Sequence, residues 1–280
     1  MKTFYSNGKK LSEEITEYYK GAVSYSLANK LIRKKDVKVN GVRVKADQKT
    51  DIGDKIEVYY DGEDNRANSV IFKDENVLVV YKPSGISAED FYALLCKKHT
   101  GVGFIHRLDQ NTDGVMIFSL NEVAEKELLY GFKHRTFEKL YLTEVVSVPQ
   151  KPSAELTAYL LKDSEKAEVK IFDTQVKGSE KIVTSYTVLK SSGETSLLEV
   201  KLITGKTHQI RAHLAHVGHF IVGDGKYGNE SINRKFKAKK QRLTAYKLTL
   251  KFDSGCHLAY LNERAFECVA GWMKGNLENK

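Results

Sequence analysis

The pattern of apolar and polar positions changes its period within the first sixty residues. The segments EEITEYYKG and YSLANKLIRKK carry apolar residues at helical spacing, and Ser12 stands where it could cap the first predicted helix. In VKVNGVRV, valines alternate with lysine and arginine on both sides of Asn40-Gly41, which predicts a hairpin turn. GDKIEVYY adds another predicted strand. Together these elements predict a small α+β domain over residues 1–62.

A second domain is predicted over residues 70–280. The polar segment 63–69 has few apolar side chains and is predicted to be a linker. The chain continues with a buried strand at Val77–Tyr81, and with the β-type segments LYLTEVV, KIVTSYTVL and SLLEVKLI between irregularly spaced helical segments. This order favours an α+β fold with mixed or antiparallel sheets over a doubly wound parallel sheet.

Composition narrows the class of protein and its compartment. The formal net charge of +9 comes from lysine and arginine spread along the chain. It suggests a polyanionic partner, usually nucleic acid, although solubility alone would also explain it. Three cysteines without CxxC spacing favour a reducing cytoplasm over a zinc knuckle or a disulfide framework. No segment is apolar enough to cross a bilayer and no secretory signal is evident, so we expect a cytoplasmic protein without membrane contact.

The stretch GFIHRLDQNTDGVMIF places four ionisable residues between apolar runs. Charges at the edge of a core are costly unless they are paired or used chemically. The stretch is therefore either a salt-bridged turn, in which Arg107 pairs with Asp109, or part of an active site.

Two further segments place chemically useful side chains beside predicted core. In KTHQIRAHLAHVG, aliphatic residues form one side of a predicted helix and Arg211 projects from another, although it could equally be a surface arginine. In EKLYL, Tyr141 faces away from Leu140 and Leu142, so it would point into a cleft if the leucines are core. A buried structural tyrosine is the alternative, because tyrosine is common on strands.

Four histidines near this helix raise the question of a metal site. His208, His213, His216 and His219 do not pair at i, i+4 around a general-base glutamate, and no cysteine is near them. We therefore expect no metal.

The motifs resemble those of the RluA-type pseudouridine synthases, which isomerise uridine to pseudouridine in RNA. The resemblance rests on the K-P-x-G loop that begins at Lys82, the H-R-L-D-x-x-T-x-G block, Tyr141 in E-K-L-Y-L, and TGKTHQIRAHLAHVGHFIVGD-x-x-YG. These occur in the family's order over most of residues 70–250. The two N-terminal helices and the basic hairpin, with VNG followed by GDKIEV, resemble an S4-type RNA-binding domain. The alternative is a small cap whose lysines are merely solvated.

The resemblance implies a pseudouridine synthase fold, no cofactor, and a role for each motif residue. Asp109 would be the catalytic carboxylate, Arg211 the basic residue that pairs with it, and Tyr141 the ring that packs on the target base. Attack on the sugar carbon, attack on the uracil ring and a glycal-like route are all compatible with this aspartate. Base flipping is expected because a stacked uracil is out of reach. The predicted RNA-binding residues are Arg107, His106, Lys82, Lys206 and His208, with Lys30, Arg33, Lys34, Lys38 and Arg43 in the first domain.

Several positions depart from the family pattern. Asp113 stands where the family usually has a small hydroxyl residue, Lys206 replaces an arginine, and Thr244 replaces the histidine of LHA. HFIVGD also lacks a proline often found before IVGD. We expect Asp113 to add negative charge near the cleft and to alter RNA contacts or local geometry there.

The sequence therefore predicts a monomeric RNA pseudouridine synthase, most often directed to large-subunit ribosomal RNA when it carries an S4-type extension. A tRNA-directed synthase of the same family is one alternative. A second is a non-catalytic RNA-binding or ribosome-assembly protein, which would not need Asp109 together with Tyr141 and Arg211. A third is a metal-dependent nuclease or deaminase, which would require bound zinc or magnesium.

Overall fold

The chain forms two compact units, Met1–Asp64 and Asn65–Lys280. The structure is a computed structural model that describes residues 1–19, 23, 25–60, 69–163, 168–238 and 240–273. Residues 63–68 of the predicted linker lie outside the described residues, so the boundaries at 62 and 70 stay predictions. No helix within the described ranges is long and apolar enough to cross a membrane.

The first unit pairs two helices with a four-stranded antiparallel sheet of order β1-β4-β2-β3. Its elements are β1 (Lys2–Tyr5), α1 (Leu11–Tyr18), α2 (Tyr25–Arg33), β2 (Val37–Val39), β3 (Val42–Arg43) and β4 (Lys55–Val58). Aliphatic residues from both helices and from β2 and β4 form one buried cluster. This cluster gives the unit a core of its own.

The predicted hairpin in this unit is confirmed, but the predicted helix cap is wrong. Asn40 and Gly41 both have positive φ angles, of 49° and 81°, as the tight turns that match strand twist require. Helix α1 begins at Leu11, so Ser12 lies inside its first turn. The Ser12 hydroxyl donates to Asp47 Oδ2 at 2.6 Å and ties the helix to the segment that precedes β4.

The second unit is built on an eleven-stranded mixed sheet with helices on both faces. Its path is β10-β9-β11-β12-β8-β14-β7-β6-β5, while β13 pairs with β8 and β15 pairs with β14. The strands are β5 (Val70–Lys73), β6 (Val77–Lys82), β7 (Asp113–Ser119), β8 (Glu138–Val146), β9 (Ser153–Asp163), β10 (Glu168–Phe172), β11 (Glu180–Ser192), β12 (Thr195–Leu202), β13 (Phe220–Ile221), β14 (Leu243–Thr249) and β15 (Ala265–Glu267). The helices are α3 (Ala88–Cys96), α4 (Glu122–His134), α5 (Gln209–His216) and α6 (Glu230–Lys235). Among the described pairings β14 and β7 run parallel and the rest antiparallel, which confirms the predicted α+β fold with a mixed sheet.

The central strands of this sheet are buried on both faces. All seven residues of β7 are buried, and alternate residues of β6 and β7 enter different clusters because side chains alternate across a strand. One face packs against α3 and α5, and the opposite face packs against α4. Tyr141 and the apolar side of α5 belong to the first face, where the candidate site lies.

Candidate active site

A cavity of about 380 Å³ opens where β8, the loop before β7 and the N-terminal end of α5 meet. Asp109, Tyr141 and Arg211, the three predicted catalytic residues, all line it. They come from a loop, a strand and a helix that are far apart in the sequence. The cavity volume lies within the range of small-molecule binding sites, about 300–1,000 Å³.

Arg211 joins two carboxylates at the edge of this cavity. Its Nη1 donates to Asp109 Oδ2 at 3.0 Å, while Nε and Nη2 donate to the two oxygens of Asp224 at 2.7 and 3.0 Å. The guanidinium and Asp224 are almost fully buried, and Asp109 keeps 18 % of its side-chain surface exposed. Among the described residues, none forms a hydrogen bond or an ion pair with Asp109 Oδ1. The aspartate is therefore held at one oxygen and open at the other.

The buried pair fixes the charge of both partners. Burial opposes the charge of Arg211, but the hydrogen bonds and charges of Asp224 and Asp109 outweigh it, and the pKa of the guanidinium is raised. Burial likewise opposes ionisation of Asp224, yet Arg211 and the N–H groups of Lys226 and Tyr227 hold its pKa below the usual value. A single fixed cation thus serves two carboxylates.

The turn that carries Asp109 is clamped by the K-P-x-G loop. Lys82 is fully buried, and its ammonium donates to the carbonyls of Pro83, Ile86 and Gln110. Burial lowers the pKa of Lys82 to about 8, although nearby carboxylates act in the opposite direction. The Gly85 N–H also donates to the Gln110 carbonyl, at 2.8 Å. Two motifs 24 residues or more apart in the sequence are in this way bound into one support for the aspartate.

Gly114, the last residue of the H-R-L-D-x-x-T-x-G block, is required by strand packing. It lies in β7 with φ of 129°, and a Cβ there would approach the Ala245 carbonyl oxygen to 2.2 Å. Only glycine lets β7 run this close to its parallel neighbour β14. The distance between the Asp109 turn and the strands behind it depends on this contact.

Tyr141 forms part of the cavity wall from the core side of the sheet. It is buried together with Thr143 and Val145, while Leu140 and Leu142 are half-buried on the opposite face. The leucines are therefore not the core side of the strand, and Tyr141 is both buried, as the alternative interpretation has it, and part of the cavity lining. Burial, and secondarily the charge of Asp109, raises the pKa of the Tyr141 phenol, so that it stays protonated at neutral pH.

The loop that leads into α5 is held by a buried glutamine. Gln209 Oε1 accepts from the Thr204 hydroxyl and from the Lys206 N–H, and its amide group donates to Val183 O and Thr184 Oγ1. This fixes the backbone of the T-G-K-T-H segment against β11.

His208, the residue before α5, faces Asp109 from this loop. It has a left-handed backbone with φ of 55°. Its Nδ1 lies 2.9 Å from the Tyr227 hydroxyl and its Nε2 lies 4.0 Å from Asp109 Oδ2. Burial lowers the pKa of His208, although the charge of Asp109 acts in the opposite direction. The imidazole is therefore neutral at pH 7.

Comparison with known proteins identifies the family. The model of the RNA pseudouridylate synthase family matches residues 76–216, a range that contains Asp109, Tyr141 and Arg211. This chain belongs to that family. It is an isomerase that forms pseudouridine in RNA, as the resemblance to RluA-type synthases predicts.

Relatives from several bacteria cover most of the synthase. An uncharacterized RNA pseudouridine synthase of Helicobacter pylori strain J99 is 36 % identical over 184 residues, which is 65 % of this chain and 71 % of that protein. Ribosomal large subunit pseudouridine synthase C of Rickettsia conorii is 28 % identical and covers 79 % of this chain and 84 % of its own length. The human protein RNA Pseudouridylate Synthase Domain Containing 4 has the same fold, with a TM-score of 0.62 and 23 % identity over 76 % of this chain and 93 % of its own.

Arg107 and Lys206 are the predicted RNA-binding residues that the synthase places at the open side of its cavity. Arg107 is exposed and pairs with Glu89 at 3.1 Å instead of with Asp109, so the alternative of a salt-bridged turn between neighbours does not hold. Lys206 pairs with Glu180. Both ion pairs are solvated and can be exchanged for RNA phosphates at small cost.

Lys82 and His106 have a different place from the one predicted. Lys82 supports the loop described above and has no exposed surface, so it is not available to RNA. His106 lines the cavity, but its Nε2 accepts the Ile117 N–H at 3.1 Å and its ring stacks on Phe132. Burial lowers the pKa of His106 to about 3, so the ring carries no positive charge at neutral pH. Both residues were predicted to bind RNA because they lie in motifs that resemble those of the family, and both instead stabilise the segment around Asp109.

In the first unit, two of the predicted cations flank an aromatic ring. Lys38 and Arg43 are directly paired across β2 and β3, and each lies over the Tyr59 ring, at 5.2 and 5.3 Å from its centroid. The ring is partly exposed. The remaining predicted cations of this unit, at the C-terminal end of α2 and just after it, are Lys30, Arg33 and Lys34.

The four histidines of the α5 region point to four separate partners. Their polar contacts, in chain order from His208 to His219, are to Tyr227, Thr184, Asp173 and Ser147. Within the described ranges, no three histidine, cysteine or carboxylate side chains come together as they would around a metal ion. Each histidine instead ties α5 or its ends to a different segment: the turn before α6, strand β11, or the residues that directly follow β10 and β8.

The prediction that Asp113 adds charge to the cleft is wrong. Its carboxylate is buried between β6 and β14, where it accepts hydrogen bonds from Tyr81 Oη at 2.6 Å and Thr244 Oγ1 at 2.5 Å. Trp272 Nε1 donates to the same Thr244 hydroxyl. The two departures at 113 and 244 therefore contact each other, and neither residue lines the cavity.

Two residues that position the site were not predicted from the sequence. Asp224 and Gln209 lie within the last motif, but neither was assigned a role there. Asp224 follows the apolar run FIVG, and a carboxylate beside a core strand was the signal used to select the H-R-L-D segment. The same signal would have found it.

Proposed function

We propose that this synthase isomerises uridine in large-subunit ribosomal RNA, with Asp109 as its catalytic carboxylate. The geometry that supports the residue assignment is one observation: Arg211 holds one oxygen of Asp109 in a cavity whose wall includes Tyr141. The ribosomal substrate is supported by relatives named ribosomal large subunit pseudouridine synthase C, which are 26–28 % identical to this chain.

The reaction requires no exchange of atoms or electrons with another molecule. The C1′–N1 bond of the uridine breaks, the uracil turns, C5 bonds to C1′, and the proton lost from C5 is balanced by one gained at N1. The open Oδ1 of Asp109 is available to act on the nucleoside while Oδ2 stays bound to Arg211. The protein's task is therefore to hold a carboxylate, a detached base and a proton acceptor in one enclosed place.

Tyr141, His208 and Arg107, which also line the cavity, each have a part in this proposal. The Tyr141 ring packs on the extruded uracil and its phenol, protonated because burial raises its pKa, can donate a hydrogen bond. The neutral His208 ring lies beside Asp109 and can accept a proton during the turn of the base. Arg107 is exposed at the rim, where it can contact the RNA from which the base was flipped.

We further propose that the first unit binds RNA in the manner of an S4-type domain. The Lys38–Tyr59–Arg43 arrangement supports this, since it presents two cations and a partly exposed aromatic ring on one surface. The protein would act in the cytoplasm, in keeping with its three free cysteines.

The test compares wild type with Asp109→Asn on RNA from a strain that lacks the gene. Wild type should restore pseudouridine at one or more positions of large-subunit ribosomal RNA, and Asp109→Asn should not. Asp173→Asn is a matched control, because its exposed carboxylate also pairs with a residue of α5. Restoration by Asp109→Asn would disprove the residue assignment, and pseudouridine confined to tRNA would disprove the ribosomal substrate.

A further inference from the structure

Two cations of the cavity have no acidic partner in the part of the chain that the structure describes. Arg107, Lys206 and Arg211 are each paired with a carboxylate. Arg135 and Lys139 line the same cavity, and no described carboxylate lies within ion-pair distance of either. An unneutralised pair of cations in a cleft attracts an anion that the protein itself does not supply.

Lys139 is held in place although it lacks a partner. It lies on β8, two residues before Tyr141, and its side chain is half-buried. Its Nζ lies 6.0 Å from the Phe132 ring centroid and borders Gly205, where a Cβ would be 3.5 Å away. Burial, with added repulsion from Arg135, lowers the pKa of Lys139. A bound anion would favour the charged form of Lys139 and so oppose both effects.

Arg135 occupies a backbone position that usually belongs to glycine. It caps the C-terminus of α4 with φ of 60°, in the left-handed region that non-glycine residues avoid. Its N–H donates to the last turn of the helix, and its exposed side chain reaches the cavity rim. The left-handed turn directs the chain from α4 into β8 and so brings the two cations to the same rim.

These two residues also border a second cavity, of about 450 Å³. Arg135, Lys139 and Leu202 line both cavities, which places the two side by side. Two more lysines, Lys201 and Lys251, line the second one. Glu138, which pairs with Lys201, and Glu263 also line this cavity. Its four cations outnumber its two carboxylates, so Arg135 and Lys139 lie at the start of a net positive groove beside the first cavity.

A flipped nucleotide stays joined to its strand by a phosphodiester on each side. When its base enters the first cavity, both phosphates must remain at the rim. Phosphodiester oxygens are strong acceptors for charged donors. We propose that Arg135 and Lys139 bind a phosphodiester next to the target uridine, and that the strand leaves the active site on that side through the second cavity.

This inference rests on the proposed function, and its first test is the salt dependence of RNA binding. Lys139→Gln and Arg135→Gln are compared with wild type on a transcript of large-subunit ribosomal RNA. Each lost phosphate contact should reduce the slope of log affinity against log salt by about 0.7 to 1. Lys139→Arg should keep the wild-type slope. Lys190→Gln is the control, because it removes the same charge from an exposed position on β11 that lines neither cavity.

The second test places the contact on the RNA. A synthetic RNA that spans the mapped uridine carries a neutral methylphosphonate at the linkage 5′ or 3′ of the target. At one of the two positions wild type should bind about tenfold more weakly, which corresponds to a single charge-assisted hydrogen bond. Lys139→Gln should show no further loss at that position.

The possible results separate this inference from the proposed function. A folded, active Lys139→Gln with a wild-type salt slope would overturn the phosphate assignment and leave the proposed function intact. If Lys139→Gln lost as much RNA affinity as wild type does when the methylphosphonate stands at either linkage, the phosphate assignment would also be overturned. A wild-type protein that forms no pseudouridine in any RNA would instead disprove the proposed function.

Discussion

Replacement of Asp224 by asparagine should impair catalysis although this residue does not line the cavity. Asp224 holds the Nε and Nη2 edge of Arg211, and only the Nη1 edge remains for Asp109. An asparagine keeps the shape but offers one acceptor and places an N–H₂ group against a guanidinium. Arg211 would then rotate or shift, and Asp109 with it.

The magnitude follows from the burial of the pair. Arg211 and Asp224 are 8 % and 1 % exposed, so water does not replace the lost acceptor. Loss of one partner of a buried ion pair typically costs roughly 3–5 kcal/mol. Because Asp109 still accompanies the arginine, we expect the free energy of unfolding to fall by about 3 kcal/mol, the lower end of that range. A displacement of 1 Å at a reacting group costs about 100-fold in rate, and kcat should fall by about that factor.

The assay is single-turnover formation of pseudouridine, run beside denaturant unfolding. Asp224→Asn should lower the rate at saturating RNA and leave the RNA affinity nearly unchanged, because Asp224 has no surface in the cavity. Asp224→Glu keeps the charge but lengthens the side chain, so its rate should lie between those of wild type and Asp224→Asn. The exposed Asp173→Asn should match wild type in both measurements. A folded Asp224→Asn with a wild-type rate would refute the role assigned to the buried pair.

Three further outcomes follow from other contacts. Burial lowers the pKa of His213 to about 4, below the value of 6.5 in the unfolded chain. This histidine should therefore contribute stability that is lost as the pH falls from about 6.5 towards 4, by about 1.4 kcal/mol per pH unit. In His213→Gln the free energy of unfolding, measured with urea, should depend less steeply on pH in this range, and an unchanged dependence would contradict this. Lys38→Gln combined with Arg43→Gln should weaken RNA binding and reduce its salt slope by about two, without changing the rate at saturating RNA; equal slopes would argue against an RNA-binding surface there. Asp113→Ser should lower the free energy of unfolding by about 1–3 kcal/mol, because the buried Thr244 hydroxyl and the partly buried Tyr81 hydroxyl lose their acceptor. We expect kcat to stay within twofold of wild type, and a large loss of kcat would place Asp113 in the chemistry.

The parts of the fold that follow from local physical chemistry were predictable from the sequence. The Asn40-Gly41 turn is one case, because only residues that tolerate positive φ can form it and the flanking valines fix the register. The mixed sheet is another, since the irregular alternation of strands and helices favours it over a doubly wound parallel sheet. The first conclusion depends on neighbours within a few residues, and the second depends only on the order of elements along the chain.

Predictions that depend on distant partners were less successful. Strand periodicity correctly separates Tyr141 from Leu140 and Leu142, but it does not say which face is covered by helices. Helix α5, some 70 residues later, covers the tyrosine face. The burial of Lys82 was equally hard to predict. A lysine side chain is usually expected to contact solvent or RNA, but one partner of this ammonium is the carbonyl of Gln110, 28 residues away in the sequence. Nothing near either residue in the sequence reveals these contacts.

The departures from the family pattern are better understood as a pair than one at a time. A lone aspartate at 113 would bury a carboxylate beside β14, which is unfavourable without donors. Thr244 supplies one donor at 2.5 Å and Tyr81 supplies another at 2.6 Å, so the change at 244 provides part of what the change at 113 needs. The carboxylate of Asp113 is not among the contacts of Asp109, which are to Arg211 and His208. Asp113 therefore supports the sheet, although it lies within the H-R-L-D-x-x-T-x-G block that carries Asp109.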